Sequence, residues 1–318
     1  MTATHTPRNR QSLGSLSVSP LSLGGNVFGW TADESESFAV LDAYLAGGGN
    51  FIDTADVYSA WVPGNKGGES ETVLGNWLAS RRNRDDVVIA TKVGAHPDYK
   101  GLSAATIKSA VDLSLSRLRT DYIDLYYTHY DDESVEVGEF LTALDDLVRA
   151  GKVREIAASN ISAERLEESL AFSAREGLAR YIALQPHYNL VSRDTYEGEL
   201  ADAAARHGLA AVPYYALASG FLTGKYRPGT TVDSARSGGA ARYADTDRGR
   251  RVLQALDTVS AAHEAEPATV ALAWLAAQPT VAAPIASART VEQLPALLAV
   301  GDLTLTEAEL ALLNEASA

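Results

Sequence analysis

Val87-Val88-Ile89-Ala90-Thr91-Lys92 is a run of small and β-branched residues that ends on an amine. The same form recurs on either side of it. Upstream, Phe51-Ile52 runs into Asp53; downstream, Tyr122-Ile123-Asp124-Leu125-Tyr126-Tyr127-Thr128 runs into His129. Runs of this composition and length read as β-strands. Lys92 lies 39 residues beyond Asp53, and His129 a further 37 beyond Lys92, so each interval holds one strand, one helix and two loops. Consecutive parallel strands then deliver a carboxylate, an amine and an imidazole to one end of a sheet, the end where α/β barrels assemble their sites. Tyr58, five residues after Asp53, adds a phenol.

Outward from these three, short apolar runs alternate with longer segments of helical period, with further strands expected near 20–24, 152–158, 181–185, 209–213 and 280–284. Eight strands in βα alternation make a closed (β/α)8 TIM barrel the economical fold, because closure leaves no exposed sheet edge. Ile107, Val111, Leu115 and Leu118, with Ser103 as N-cap, mark a surface helix docked by one apolar stripe. Leu166 and Leu170 after Ser162 mark another. Ahead of the first strand, Leu13, Leu16 and Val18 fit a hairpin closing the barrel floor. The chain is read as one domain, residues 1–318, with 1–11 a flexible tail and 227–248 a long mobile loop, a candidate lid.

Composition narrows the function. The 318 residues are 46% hydrophobic, enough for a large core, and the formal net charge of −14 disfavours general nucleic-acid binding through a basic face. The absence of Cys removes disulfides, thiolate metal sites and a cysteine nucleophile, and suits a reducing compartment, the cytoplasm. No signal-peptide core follows the polar first residues, and no apolar run reaches membrane length. His5, His96, His187, His207 and His263 show no metal-ligand spacing.

The chemistry that Asp53, Tyr58, Lys92 and His129 support is protonation of a carbonyl oxygen as it becomes an alkoxide. An ammonium near a phenol stabilises the phenolate, so Lys92 is expected to lower the Tyr58 pKa, and Asp53 to balance the buried lysine. His129 then orients a substrate oxygen or relays a proton. No side chain donates a hydride, so a cofactor is required. Trp30 and Trp61, with Tyr58 and His129, are candidates to line an apolar pocket for a small carbonyl or alcohol substrate, and plain packing is nearly as good an account of the two tryptophans.

The stretch Gly49-Asn50-Phe51-Ile52-Asp53-Thr54-Ala55-Asp56-Val57-Tyr58, continued by Gly67-Gly68-Glu69-Ser70-Glu71 and Leu74-Gly75, resembles the signature of the aldo-keto reductase superfamily. Thr91-Lys92, Asp124-Leu125 through His129, Gly151-Lys152-Val153-Arg154 through Ser159-Asn160, Gln185, and Tyr214 through Lys225 follow in the family's order. Judged by the inserted segment Trp61-Val62-Pro63-Gly64-Asn65-Lys66, it resembles bacterial members similar to the potassium-channel β-subunit branch more than the mammalian aldose reductases. The resemblance implies Tyr58 as general acid assisted by Lys92 and Asp53, His129 positioning the carbonyl, and an extended NADPH, with NADH as the alternative donor, across the barrel mouth. It assigns Ser159, Asn160 and Gln185 to the nicotinamide carboxamide and Tyr214 to stacking on the ring. Tyr215, Leu217, Ser219, Gly220, Leu222 and Lys225 would wrap the pyrophosphate, Arg289 meet the 2′-phosphate, and Gln293 border the adenine. Gly25, Asn26, Asp53, Ile285 and Ser287 complete the implied cofactor set.

Four positions depart from the family pattern: Ala296 and Leu297 where many relatives have Glu-Asn, Ala157 before the Ser-Asn pair, and Ser59 after the tyrosine. The first two lose polar contacts to adenine and leave phosphate recognition to Arg289 and Lys225. Some motifs fail on inspection. Gly220-Phe221-Leu222-Thr223-Gly224-Lys225-Tyr226 has too few residues between its glycines for a P-loop and ends on Tyr where a magnesium-binding hydroxyl belongs. Gly47-Gly48-Gly49 precedes its strand and is no dinucleotide fingerprint. A reductase is the leading reading. The alternatives are a nicotinamide-binding redox-sensing partner protein similar to the channel β-subunits and, weaker, a hydrolase built on Asp53 and His129.

Overall fold

In the computed structural model, which describes residues 10–227, 230, 232 and 237–318, the strands form one parallel eight-stranded sheet. They are β1 (Ser22–Gly24), β2 (Phe51–Asp53), β3 (Val88–Val93), β4 (Ile123–Thr128), β5 (Val153–Ser159), β6 (Tyr181–Gln185), β7 (Ala210–Ala211) and β8 (Ile285–Ala286). Spatial order follows the chain from β1 to β7, and β8 pairs with β1 through Ile285 opposite Ser22. A parallel bridge between Ala211 and Val281, flanked by hydrogen bonds from Ala211 N to Thr280 O (2.7 Å) and from Ala282 N to Ala211 O (2.9 Å), closes the barrel. The expected strand at 280–284 is thus half of a longer extended segment that serves two neighbours. It is interrupted at Pro284, which has no N–H to give to the ladder.

Period-two alternation sorts the strand side chains into two sets. Phe51, Val88, Ala90, Leu125, Tyr127, Ala157 and Ala183 form an inner cluster, while Ile52, Ile89, Tyr126, Ile156 and Leu184 pack outward against the helices. Asp53, Lys92, His129, Ser159 and Gln185 share the parity of the inner set and stand at the upper ends of their strands, so the alternation itself aims them into the mouth. The floor is closed by an antiparallel hairpin, Gln11–Leu13 with Leu16–Val18, whose Leu13, Leu16 and Val18 join the inner cluster. Its turn is tethered by Ser15 N donating to Glu155 Oε1 at 2.8 Å. Ala157, the departure before the Ser-Asn pair, is one of the inner residues and is fully buried.

Crossover helices α1 (Glu34–Ala46), α2 (Glu69–Arg81), α3 (Ala104–Leu118), α4 (Val137–Arg149), α5 (Ala163–Glu176) and α6 (Glu199–His207) follow successive strands. As expected, Ser103 and Ser162 cap α3 and α5, accepting from Thr106 N and Arg165 N. Ile107, Val111 and Leu118 are fully buried beneath α3, each stabilising the packing by about 1.5–3 kcal/mol, whereas Leu115 is only partly covered. Below the mouth, buried Asp124 of β4 accepts from Arg84 (2.7 Å) and Arg154 (2.8 Å), and both guanidiniums lie over the Tyr122 ring.

The expected loop at 227–248 needs correction where it is described: Ser237–Ala244 is a helix, α7, and Asp247–His263 is another, α8, capped by Thr246. Ala240 and Ala244 dock α7 with small side chains, which leaves no conspicuous apolar period to read. Positions 228, 229, 231 and 233–236, and residues 1–9 of the expected tail, lie outside the described residues. Helix α9 (Pro267–Ala276) is apolar on nearly every side because it is buried between neighbours. No helix among the described residues is long and apolar enough to cross a membrane.

Candidate active site

Lys92 organises the barrel mouth. Its fully buried ammonium donates to Asp53 Oδ2 at 2.7 Å, to the Thr54 carbonyl at 2.8 Å and to the Tyr58 hydroxyl at 2.9 Å, using all three of its hydrogens. The Tyr58 hydroxyl lies 3.2 Å from the same Asp53 oxygen. The other Asp53 oxygen accepts from Gln185 Nε2 at 2.8 Å, across 132 residues of sequence. A buried charge pair is tolerable only when its remaining donors and acceptors are satisfied, and here the partners are in place.

His129 faces Tyr58 with ring centroids 6.2 Å apart. Its position is set by its backbone, whose N–H donates to Val93 O (2.9 Å) and whose carbonyl accepts from Asn160 Nδ2 (2.8 Å). Tyr214 in turn donates to Asn160 Oδ1 at 2.8 Å, and Ser159 Oγ to the Gln185 carbonyl at 2.8 Å. Gln185 therefore has a structural partner in Asp53 besides its place in the cavity wall. Ser59 adopts a left-handed conformation (φ 72°) and fastens it by donating to Phe28 O at 2.9 Å, which accounts for a serine where glycine is the easier choice.

Electrostatics correct one expectation. Burial pushes the Tyr58 phenol well above its ordinary pKa and the Asp53 charge adds to the rise, so the phenol is not lowered by Lys92. Burial also pulls the Lys92 ammonium downward, against the opposing pull of Asp53. His129 is held well below its usual value, first by burial and then by Lys92, which leaves a neutral imidazole at neutral pH. Its Nδ1 is buried without a partner. Behind the lysine, Glu71 accepts from Thr91 Oγ1 (2.7 Å) and Arg117 Nη1 (3.1 Å). Beside it Asp56 has both carboxyl oxygens buried and unpartnered, and its pKa is pushed up to about 8 by burial and then by Glu71. Sequence reasoning gave Asp56 no role, because the charges that act on it come from α2, α3 and β3.

The mouth opens into a cavity of about 830 Å³. Near the tetrad its wall includes Asp53, Tyr58, Trp61, His129, Ser159, Asn160, Gln185 and Tyr214. Asn26, Tyr215, Leu217, Ser219, Gly220, Lys225, Ile285, Ser287, Arg289 and Gln293 also line it. Besides Lys92, whose side chain is fully buried, three expected residues do not line it. Gly25 is packed inward against the Asp53 carbonyl, Ser70 and Phe28, and its neighbour Gly24 faces the cavity instead. Leu222 is fully buried in the core. Trp30 stands behind Trp61, edge-on at 5.6 Å. Residues the sequence reading missed include Tyr130, adjacent in the chain to His129, and the acidic Glu266 and Glu292.

The outer cavity fits an elongated phosphate-bearing group. Ala218, Ser219 and Gly220 take successive positive φ angles of 48°, 58° and 93°, a tight turn in which Ala218 N bonds back to Tyr215 O (2.7 Å) and Gly220 N to Leu217 O (2.8 Å). Lys225 Nζ would lie 3.8 Å from a Cβ placed on Gly220, and Arg289 makes no ion pair among the described residues. Ser287 Oγ bonds Asn26 Oδ1 at 2.7 Å, joining the two edges of the wall. No cluster of metal-ligating side chains occurs among the described residues.

Comparison with known proteins agrees with this architecture. The family model described as "Aldo/keto reductase family" matches residues 20–318. Norsolorinic acid reductase B of Aspergillus parasiticus is 33% identical over 95% of this chain and 81% of its own length. Protein tas of Escherichia coli is 33% identical over 93% of both chains, and the uncharacterized oxidoreductase YrpG of Bacillus subtilis is 34% identical over 94% of this chain and 92% of its own. A barrel with a buried Asp-Lys-Tyr cluster at its mouth, matched along nearly all of its length, belongs to the aldo/keto reductase family, whose members are oxidoreductases that act on carbonyls with a nicotinamide cofactor.

Proposed function

We propose that the protein interconverts an aldehyde or ketone and its alcohol with NADPH as the preferred cofactor, and that Tyr58 is the proton donor. The observation that carries this reading is the hydrogen-bonded contact of Tyr58 with Lys92 (2.9 Å) and Asp53 (3.2 Å) at the buried end of the cavity. A bound nicotinamide supplies the hydride for the carbonyl carbon. Because its pKa is raised, the Tyr58 phenol stays loaded with its proton at neutral pH and gives it to the carbonyl oxygen as charge develops there. Lys92 then steadies the phenolate that remains, while Asp53, held by Gln185, keeps the ammonium aimed. His129, neutral and with Nδ1 buried, presents Nε2–H to the substrate oxygen when that tautomer is occupied.

Ser159, Asn160, Gln185 and Tyr214 would hold the nicotinamide end, and Ser219, Gly220 and Lys225 the pyrophosphate. Arg289 favours a 2′-phosphate through its planar fork. Glu266 and Glu292 in the same wall oppose it, so the preference for NADPH is expected to be moderate.

The test is Tyr58→Phe, followed by NADPH absorbance with a panel of aldehydes and ketones. Turnover is expected to fall by about 10²–10⁴-fold with cofactor affinity within a fewfold of wild type. Undiminished turnover would remove Tyr58 from the role.

A further inference from the structure

His129 faces the reacting phenol without the anchor that such a residue ordinarily has. A catalytic imidazole is usually fixed by a hydrogen bond on its second ring nitrogen, yet Nδ1 of His129 is buried with no partner. Its ring neighbours are Tyr58, edge-on at 6.2 Å, and Tyr130, stacked at 5.0 Å but itself 53% exposed. The ring is therefore aimed by the backbone beneath it. On one side that backbone is held by the sheet, His129 N donating to Val93 O at 2.9 Å. On the other it is held by a single side chain, Asn160, whose Nδ2 reaches the His129 carbonyl at 2.8 Å. A longer bond from Asp131 N to the Asn160 carbonyl, 3.3 Å, ties the same two loops.

Asn160 is itself held in place for this contact. It follows β5 in the left-handed region (φ 49°), which the short polar side chain of Asn tolerates, and its second Nδ2 hydrogen goes to Ser159 Oγ at 3.0 Å. A half-turn of the amide would set its oxygen against the His129 carbonyl, two acceptors facing each other. The Tyr214 hydroxyl opposes that turn by donating to Asn160 Oδ1 at 2.8 Å. Neighbouring groups do not compete for the amide, since the Ser159 hydroxyl donates to the Gln185 carbonyl and Gln185 Nε2 to Asp53. Tyr214 is steadied in turn: its N–H donates to Pro186 O at 2.9 Å, and its ring lies on His187 at 5.4 Å with the planes 23° apart.

From this we infer that Tyr214 is a positioning residue for His129, acting through its hydroxyl and the Asn160 amide, and that this role is separate from any contact its ring makes in the cavity. The link is two hydrogen bonds long, Tyr214 to Asn160 and Asn160 to His129. Its catalytic consequence rests on the reductase reading, in which His129 meets the substrate oxygen; its structural part does not. Tyr214 also lines the main cavity, so the same side chain joins the wall to the backbone that aims the imidazole. Deleting the hydroxyl leaves the ring and its stacking on His187 in place but frees the amide to turn, and the His129 loop then loses its side-chain anchor.

The test is Tyr214→Phe, read first by NMR of ring-labelled histidine in the protein free of cofactor and substrate. The His129 resonance, assigned by its loss in His129→Gln, is expected to move or broaden. Those of His207 and His263, paired at the surface with Glu167 and Glu309, should stay in place. With a carbonyl substrate, kcat/KM should fall about 3–10-fold, the worth of one hydrogen bond, while NADPH affinity by fluorescence titration stays within about twofold. The fall should lie mainly in kcat, because His129 meets the oxygen most strongly as charge develops there. Asn160→Ala should lose at least as much and move the same resonance, and adding Tyr214→Phe to it should cost nothing further. Asn160→Ala alone reads the second bond if Tyr214→Phe does not fold. An unmoved His129 resonance in either variant, a loss confined to cofactor affinity, or losses that add in the double variant would overturn the inference. A displaced resonance in a protein that reduces no carbonyl supports it and counts against the reductase reading alone.

Discussion

Replacing Lys92 by Met removes the ammonium while keeping a stem of similar length, and the structure gives separate expectations for stability and for turnover. Lys92 and Asp53 are both buried, so deleting one partner leaves an uncompensated charge, a loss of about 3–5 kcal/mol. At 2.9 Å from the Tyr58 oxygen, the ammonium attracts a phenolate by about 6 kcal/mol at an effective dielectric of 20, of which desolvation cancels a large part. A fall in kcat of about 10–10³-fold follows if a quarter to three-quarters of that attraction is realised. The double variant Asp53→Asn/Lys92→Met separates the two effects. With no charge left, the amide oxygen that replaces the carboxylate still accepts from Gln185, so stability should return to within about 1–2 kcal/mol of wild type while turnover stays lost. Urea unfolding followed by the emission of the four tryptophans, alongside NADPH oxidation, reads both quantities. A double variant no more stable than Lys92→Met would refute the charge-pair account, and a Lys92→Met enzyme with wild-type kcat would refute the catalytic one.

Three further outcomes are expected. Asp56 is an acid whose folded pKa, about 8, lies above its unfolded value, so its ionisation opposes folding. Its contribution to stability is greatest below pH 4 and declines as pH rises towards 8, and Asp56→Asn should flatten the dependence of Tm on pH across that window. Oxidation of the alcohol needs the Tyr58 phenolate, so its kcat should climb steadily into alkaline solution while carbonyl reduction does not, as parallel pH profiles would reveal. Arg289→Ala should weaken NADPH by about tenfold and leave NADH nearly unchanged, measured by titration of cofactor fluorescence; equal loss for both would move phosphate recognition elsewhere.

Much of the barrel is legible because strand alternation and βα spacing are local properties. The inward parity shared by Asp53, Lys92 and His129 with Phe51, Val88 and Leu125 is visible once the strands are placed, and it alone carries three of the four tetrad groups to the mouth. The split at Pro284 and the helical course of α7 were less legible. One depends on which neighbour each half of an extended segment finds, the other on alanines that dock without an apolar signature.

By itself the sequence determined the fold class, the order in which the strands present their end residues, and the chemical kinds assembled there, since each depends on periodicity along the chain. Only the tertiary structure decided that Gln185 holds Asp53, that Asp56 is stranded without a partner behind Lys92, and that Tyr130 and Tyr215 meet Trp61 around one opening. Those relations join residues as remote in the chain as Trp61 and Tyr215, and the stagger of a closed barrel sets such distances through every strand at once, which no local pattern encodes.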